Sequence, residues 1–232
     1  MRPEPLISVI HPSRSRAIKS FNTIAQWSRH TISYTNIEFI ISVDEDDPEL
    51  QMYKDRYQAQ DLIVNKNRSC IDAINNAAKY AQGSIFVVVS EDTGSIPGWP
   101  RELLQVLEGK SDFVLKTKDG IQDYIVTFPI LDRTYYNRDG FIYHHDFKHQ
   151  FADTYSTCLA DIRGRLIYSD LVFPHKHYSH LKEAPDALHK RNDATWKEGQ
   201  DTFFRLMKQF TPEERARIKD PSMRGFLRKF GL

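Results

Sequence analysis

The run Gly83-Ser84-Ile85-Phe86-Val87-Val88-Val89-Ser90-Glu91-Asp92 is an apolar stretch, rich in β-branched residues, that ends in two adjacent carboxylates. A continuous apolar run of this kind predicts a strand buried on both faces, not one with a solvated side. The carboxyl end of such a strand is where open α/β sheets place ligands. Two acids at that point suggest a metal. A hard divalent cation such as Mg2+ or Mn2+ prefers oxygen ligands and is usually held by one or two carboxylates together with substrate phosphates. Glu91 and Asp92 are also expected to sit close enough to repel one another, which costs stability unless something positive offsets it.

Outward from this strand the first half of the chain alternates. Leu6 to Ile10 reads as a strand and Ser15 to His30 as an amphipathic helix, with Ile18, Phe21, Ile24, Ala25 and Trp27 on one face. A second strand is expected from Ile37 to Val43, followed by the acidic turn Asp44-Glu45-Asp46-Asp47-Pro48. A short strand from Asp61 to Val64 leads into a helix from Ser69 to Ala81, with Gly83 as its stop. Beyond Asp92 come the turn Pro97-Gly98 and a helix from Trp99 to Leu107. Strands separated by helical patterns at this spacing imply βαβ units and a mainly parallel sheet.

After residue 110 the pattern loosens. Phe113 to Leu115 and Tyr124 to Phe128 read as strands flanking the turn Lys118-Asp119-Gly120, and a polar, aromatic, His-rich region runs from Tyr135 to Gln150. Asp153 to Arg163 reads as a helix closed by Gly164, and Arg165 to Phe173 as a strand ending in Pro174-His175-Lys176-His177. Residues 178–193 read as loop. Helices are expected from Ala194 to Phe210 and again after Thr211, which opens the capping-type sequence Thr-Pro-Glu-Glu.

Composition narrows the function classes. A chain of 232 residues can bury a sizeable core, and 40% hydrophobic with 27% charged residues argues against disorder. A formal charge of +1 leaves no global electrostatic footprint for nucleic acid or a membrane surface. Cys70 and Cys158 match no zinc or redox spacing and read as reduced, buried thiols. The start Met-Arg-Pro-Glu-Pro lacks the apolar core of a signal peptide, and no segment has the roughly 20 apolar residues of a membrane span. The expectation is a soluble, cytoplasmic protein.

The strand ending in His11-Pro12-Ser13-Arg14, the strand ending in Val43-Asp44-Glu45, the segment Asn67-Arg68-Ser69-Cys70-Ile71-Asp72-Ala73-Ile74-Asn75-Asn76-Ala77-Ala78 and the strand ending in Ser90-Glu91-Asp92 follow one another in a telling order. Together they resemble the nucleotide-sugar half of family 2 glycosyltransferases with the GT-A fold, over roughly residues 6–177. The resemblance implies a Rossmann-like, mainly parallel α/β sheet flanked by helices. Residues 1–110 would form the nucleotide-sugar-binding half, 111–180 the acceptor-side half, and 181–232 a helical C-terminal extension.

The resemblance also implies a chemistry. Such an enzyme moves a sugar from a nucleoside-diphosphate sugar, UDP-sugars being favoured, to a hydroxyl of a glycan or other acceptor, using Mn2+ or Mg2+ and inverting the anomeric carbon. Asp44 falls where the family contacts the nucleobase, Pro12, Ser13 and Arg14 in the first nucleotide loop, and Arg68 and Asn75 at the basic and amide positions beside the nucleotide. Glu91 and Asp92 occupy the acidic motif, with Asp92 the direct metal ligand and Ser90 standing where the family usually has its first acid. His175 falls where a histidine reaches the metal or diphosphate. Ala152-Asp153 matches the family's Glu-Asp pair, which makes Asp153 the catalytic base.

The same residues support plainer readings. Asp44 to Asp47 fit a solvated acidic turn, Asn75 a surface helix position, and Asp153 a helix N-cap. On an extended segment only one of His175 and His177 faces a given side, and His175 is the choice. His145 and His149 have the spacing of a helical zinc pair, but Asp146 is short for that role and no third ligand is evident. His145 and Asp146 better suit an acceptor pocket. Two other classes remain open: a nucleotidyltransferase on a similar sheet, which would release pyrophosphate, and a non-catalytic sugar-nucleotide or glycan-binding module, favoured by Ser90 and Ala152 standing in place of acids.

Overall fold

The computed structural model describes residues 6–181 and 184–232. The first half runs β1 (Ile7–Ser13), α1 (Ala17–Arg29), β2 (Ile37–Asp44), α2 (Leu50–Arg56), β3 (Leu62–Asn65), α3 (Cys70–Tyr80), β4 (Ile85–Val88) and α4 (Trp99–Val106). The second half runs β5 (Val114–Lys118), β6 (Ile130–Asp132), α5 (Arg133–Tyr136), α6 (Ala152–Ile162), β7 (Leu166–Val172), α7 (Tyr178–Leu181), α8 (Ala187–Asp193), α9 (Trp196–Met207), α10 (Pro212–Arg215) and α11 (Pro221–Lys229).

The strands form one seven-stranded sheet in the order β3-β2-β1-β4-β6-β5-β7. It is parallel except at β6, which runs antiparallel to both β4 and β5. The mainly parallel α/β sheet flanked by helices is therefore the fold the sequence implies. β4 sits centrally, and its side chains alternate between two cores, as the period of a strand requires. Phe86 and Val88 join the core under α3, α6 and α9, whereas Ile85, Val87 and the following Val89 join the one around Trp27, Trp99 and Phe173. Burial on both faces is what the opening apolar run predicts.

Three local expectations change. Tyr124–Phe128 is not a strand; the partner of β5 and β4 is Ile130–Asp132. The 119–127 segment instead wraps on the Asp119 carboxylate, which accepts from the Ile121 and Gln122 amides at 2.7 and 2.9 Å and from Thr127 Oγ1 at 2.6 Å. Gly83 does not stop α3, which ends at Ala81 with extended ψ. Its role is close approach, because a Cβ there would lie 2.7 Å from both the Leu6 carbonyl oxygen and the Ser8 amide nitrogen.

Residues 178–193 hold two helices, α7 and α8, where loop was expected. Asp186 and His189 close a capping box on α8 that the usual Ser/Thr-x-x-Glu/Gln signature does not cover. The C-terminal helices pack back on α6: Phe203, Leu206, Met207, Met223 and Leu227 are all buried in its core. No helix among the described residues is long and apolar enough to cross a membrane.

Candidate active site

A cavity of about 360 Å³ opens over the carboxyl ends of β1, β2 and β4. That is within the ordinary size of small-molecule sites. Its floor is the strand rim with Ser13, Asp44, Glu91 and Asp92; its far wall is built by 143–153 and His175, and α8 covers one side.

The two carboxylates after β4 part company. Glu91 turns toward β1, where Oε1 accepts from Ser13 Oγ at 2.7 Å and Oε2 lies 3.8 Å from Arg16 Nη1. Asp92 turns the other way, accepting from Ser90 Oγ and lying 3.1 Å from His175 Nε2. The expected mutual repulsion is thus answered by separate protein partners. These contacts and His175 hold the Asp92 carboxyl well below its usual range despite burial.

His175 is locked by backbone on both sides. Its N–H donates to the Asp119 carbonyl at 2.9 Å, Lys176 N–H donates to the Asp92 carbonyl at 2.8 Å, and Thr93 bridges His175 in antiparallel fashion. Its ring meets Phe128 edge-on, and Nδ1 lies 4.0 Å from the buried Asp119 carboxylate. His177 also lines the cavity, so the alternation argument for a single facing histidine does not hold here.

A carboxylate oxygen beside an imidazole nitrogen can take a divalent ion. Asp92 Oδ2 and His175 Nε2 lie 3.1 Å apart, within common reach of one ion. Asp92 and His175 would hold such an ion, leaving its other positions to phosphate oxygens and water. Among the described residues, the set of three groups with ligand atoms within 4.8 Å of one another is His144, His145 and Asp146, which lies outside the cavity.

Asp153 lines the cavity from the first turn of α6, and it is not the cap. Phe151 holds that position in a left-handed conformation (φ +69°) without a side-chain capping bond. A bulky residue there is strained, by about 1–2 kcal/mol. Phe151 is kept in place by rings on α9 and α11, 4.9 Å from Trp196 and 6.3 Å from Phe226. Gly199 lets α9 come this close, since a Cβ would lie 3.0 Å from the Gln150 carbonyl carbon. Asp153 Oδ1 accepts from the Thr154 amide at 2.6 Å, and burial pushes its carboxyl above the usual range. A raised carboxyl pKa moves a carboxylate toward the basicity that proton abstraction near neutrality needs.

The other sequence candidates separate. Pro12 and Ser13 line the floor, and Asp44 pairs with Arg14 and accepts from Asn67 Nδ2 at 2.9 Å. Arg14 also pairs with Asp46 at 2.5 Å, so the acidic turn is partly neutralised. Arg68 stands exposed at the rim, 2.7 Å from Asp72. Asn75 does not line the cavity. It is buried, accepts from the Ile142 and Tyr143 amides at 3.0 and 3.1 Å, and donates to the Tyr143 carbonyl at 2.7 Å. Neither a surface position nor a nucleotide contact fits an amide spent on backbone in this way.

His145 and Asp146 also stand outside the cavity, with Asp146 held by Arg205 at 2.5 Å. Residues 145–149 are not helical, so the helical zinc pair does not form. Both cysteines are free, but only Cys158 is buried; Cys70 is half-buried at the cavity, with Sγ 3.0 Å from His149 Nδ1. Arg16, Tyr143 and the α8 side chains also line the cavity, beyond the residues that the sequence marks. Arg16 sits two residues past Arg14 in the same loop, and that repeat was the available signal.

No protein-family model matches the chain, and no curated protein matches it. Solved structures do. A mannosyltransferase from Pyrobaculum calidifontis in complex with GDP-Man and Mn2+ superposes with a TM-score of 0.59 at 11% identity, over 97% of this chain and 84% of that one. S. aureus TarS 1-349 in complex with UDP-GlcNAc gives 0.65 at 16% identity, over 91% and 69%. The UDP complex of the same S. aureus protein gives 0.54 at 17%, over 72% and 59%. The fold seen here is one these glycosyltransferases share.

Proposed function

We propose that the protein is a family 2-like glycosyltransferase that moves a sugar from a nucleoside-diphosphate sugar to an acceptor hydroxyl, with inversion. The observation that carries this reading is one cavity that joins the Asp92–His175 pair to Asp153. A metal-suited pair at the end of β4 and a carboxylate of raised pKa lining the same cavity are the two tools sugar transfer needs. The two glycosyltransferase structures with donor sugars bound support it through the shared fold.

On this reading Asp44 meets the nucleobase, and Ser13 and Glu91 border the ribose and diphosphate path. A divalent ion held by Asp92 and His175 would supply charge neutralisation for the departing nucleoside diphosphate. Asp153 takes the proton of the acceptor hydroxyl as it attacks, because that hydroxyl is a poor nucleophile at neutral pH. Attack from the face opposite the leaving group inverts the anomeric carbon.

Product analysis tests this directly. UDP- and GDP-sugars incubated with Mn2+ should yield nucleoside diphosphate, by transfer or by slow hydrolysis. A nucleotidyltransferase would instead leave these donors intact and release pyrophosphate from a nucleoside triphosphate supplied with a sugar 1-phosphate, and donor binding without any turnover would make the protein a binding module.

A further inference from the structure

Arg16 precedes α1 and its guanidinium lines the cavity with only 12% of the side chain exposed. Besides Glu91 it meets Asp186, the N-cap of α8, with both carboxylate oxygens engaged. Nε donates to Oδ2 at 3.0 Å, and Nη2 to Oδ1 at 2.7 Å and Oδ2 at 2.6 Å. His189, three residues on, places Nε2 3.0 Å from Nη2. The contact joins positions 170 residues apart and holds α8 against the strand rim.

A guanidinium fork closed on two carboxylate oxygens is the same geometry it uses on two phosphate oxygens. The two carboxylates at Arg16 differ in how easily they leave. Glu91 is 9% exposed and bonded to Ser13, whereas Asp186 is 40% exposed on a helix of seven residues. An exposed partner is screened by solvent and held weakly. We propose that Arg16 is a diphosphate-binding residue of the cavity and that Asp186 is a built-in competitor, its carboxylate filling the fork that a phosphate takes. The proposal rests on the nucleoside-diphosphate reading of the site. Donor binding then exchanges one anion for another at Arg16 and releases the N-terminal end of α8 from the rim.

Calorimetric titration with GDP, UDP and inorganic pyrophosphate tests the exchange. Asp186→Asn keeps a helix cap, since Asn caps about as well as Asp, and removes the competing charge. Affinity for the anions should rise about three- to fivefold, the worth of a partly exposed ion pair. Arg16→Gln should weaken binding about tenfold or more, as expected for loss of a charge-assisted bond. Adding Asp186→Asn to Arg16→Gln should then change nothing, because the two residues act through one contact.

Unchanged affinity in Asp186→Asn overturns the proposal, as does the same rise on the Arg16→Gln background, which would be a general field effect. Arg16→Lys, which keeps charge and loses the fork, serves if Arg16→Gln does not fold, and wild-type affinity in it also overturns the proposal. Wild-type binding of pyrophosphate but of neither nucleotide would sink the glycosyltransferase reading while leaving the Arg16–Asp186 exchange measurable on pyrophosphate.

Discussion

The strand rim and the wall that faces it are built by different means. At the rim, backbone register sets every position: Ile10 pairs Val88, Ser13 pairs Val43 and Asp44 pairs Asn65, so the ends of β1, β2 and β4 arrive together. On the wall, residues 141–153 have little regular structure, and single side chains from elsewhere hold them. Asn75 takes three backbone groups of residues 142–143, Thr195 Oγ1 accepts from Gln150 N–H at 3.3 Å, and rings on α9 and α11 brace the left-handed Phe151. A rim made by pairing tolerates change in its loops. A wall made by individual long-range bonds depends on each one.

The largest test of that contrast is at Asp153, which the wall carries into the cavity. Asp153→Asn keeps the size and the acceptor oxygen for Thr154 N–H but cannot take a proton. Transfer should fall on the order of a hundredfold or more while melting temperature and donor binding stay near wild type. A change of only a few fold would reduce Asp153 to a helix-start residue and move the search for the base elsewhere on the wall.

Asn75→Ala should be the most destabilising of these changes, by about 3 kcal/mol, because it leaves three buried backbone groups without partners. Denaturant unfolding would show it, and a loss under 1 kcal/mol would mean the wall does not lean on this amide.

The wall should also carry a pH dependence. Burial lowers the His149 pKa to about 4 and pushes the Cys70 thiol up to about 12, so both are neutral at pH 7 where they meet. A histidine whose folded pKa lies below its unfolded value favours the fold most where it is uncharged. That stability is complete above about pH 6.5 and is lost as pH falls from there toward 4. Urea midpoints compared between wild type and His149→Gln should show a shallower slope in the variant across that window; equal slopes would assign the acid sensitivity to other groups.

The smallest effect belongs to Lys148 and Glu198, an ion pair 2.9 Å long with both side chains about half exposed. Glu198→Gln should shift stability by less than about 1 kcal/mol. A larger loss would show that surface charge pairs help position the wall.

What the sequence reveals follows the same division. β4 and its acids and the βα alternation come from periodicity, which acts between near neighbours. Residues whose role is set by a distant partner could not be read that way. Asn75 carries no local mark of the loop it holds 67 residues later. Arg16 has none of its pairing with Asp186, and α8 lacks a familiar capping signature. Glu91 and Asp92 looked like a mutually repelling pair because adjacency is visible in sequence, while the Ser13 and His175 partners that draw them apart are not.

On the proposed function the cavity holds a nucleoside-diphosphate sugar with a divalent ion at Asp92. Calorimetric titration of UDP- and GDP-sugars into wild type and Asp92→Asn, each with and without Mn2+, tests it most directly. Mn2+ should strengthen donor binding in wild type and not in Asp92→Asn, with both proteins melting alike. Equal, Mn2+-dependent affinity in the two proteins, or no binding of any donor to wild type, would contradict it.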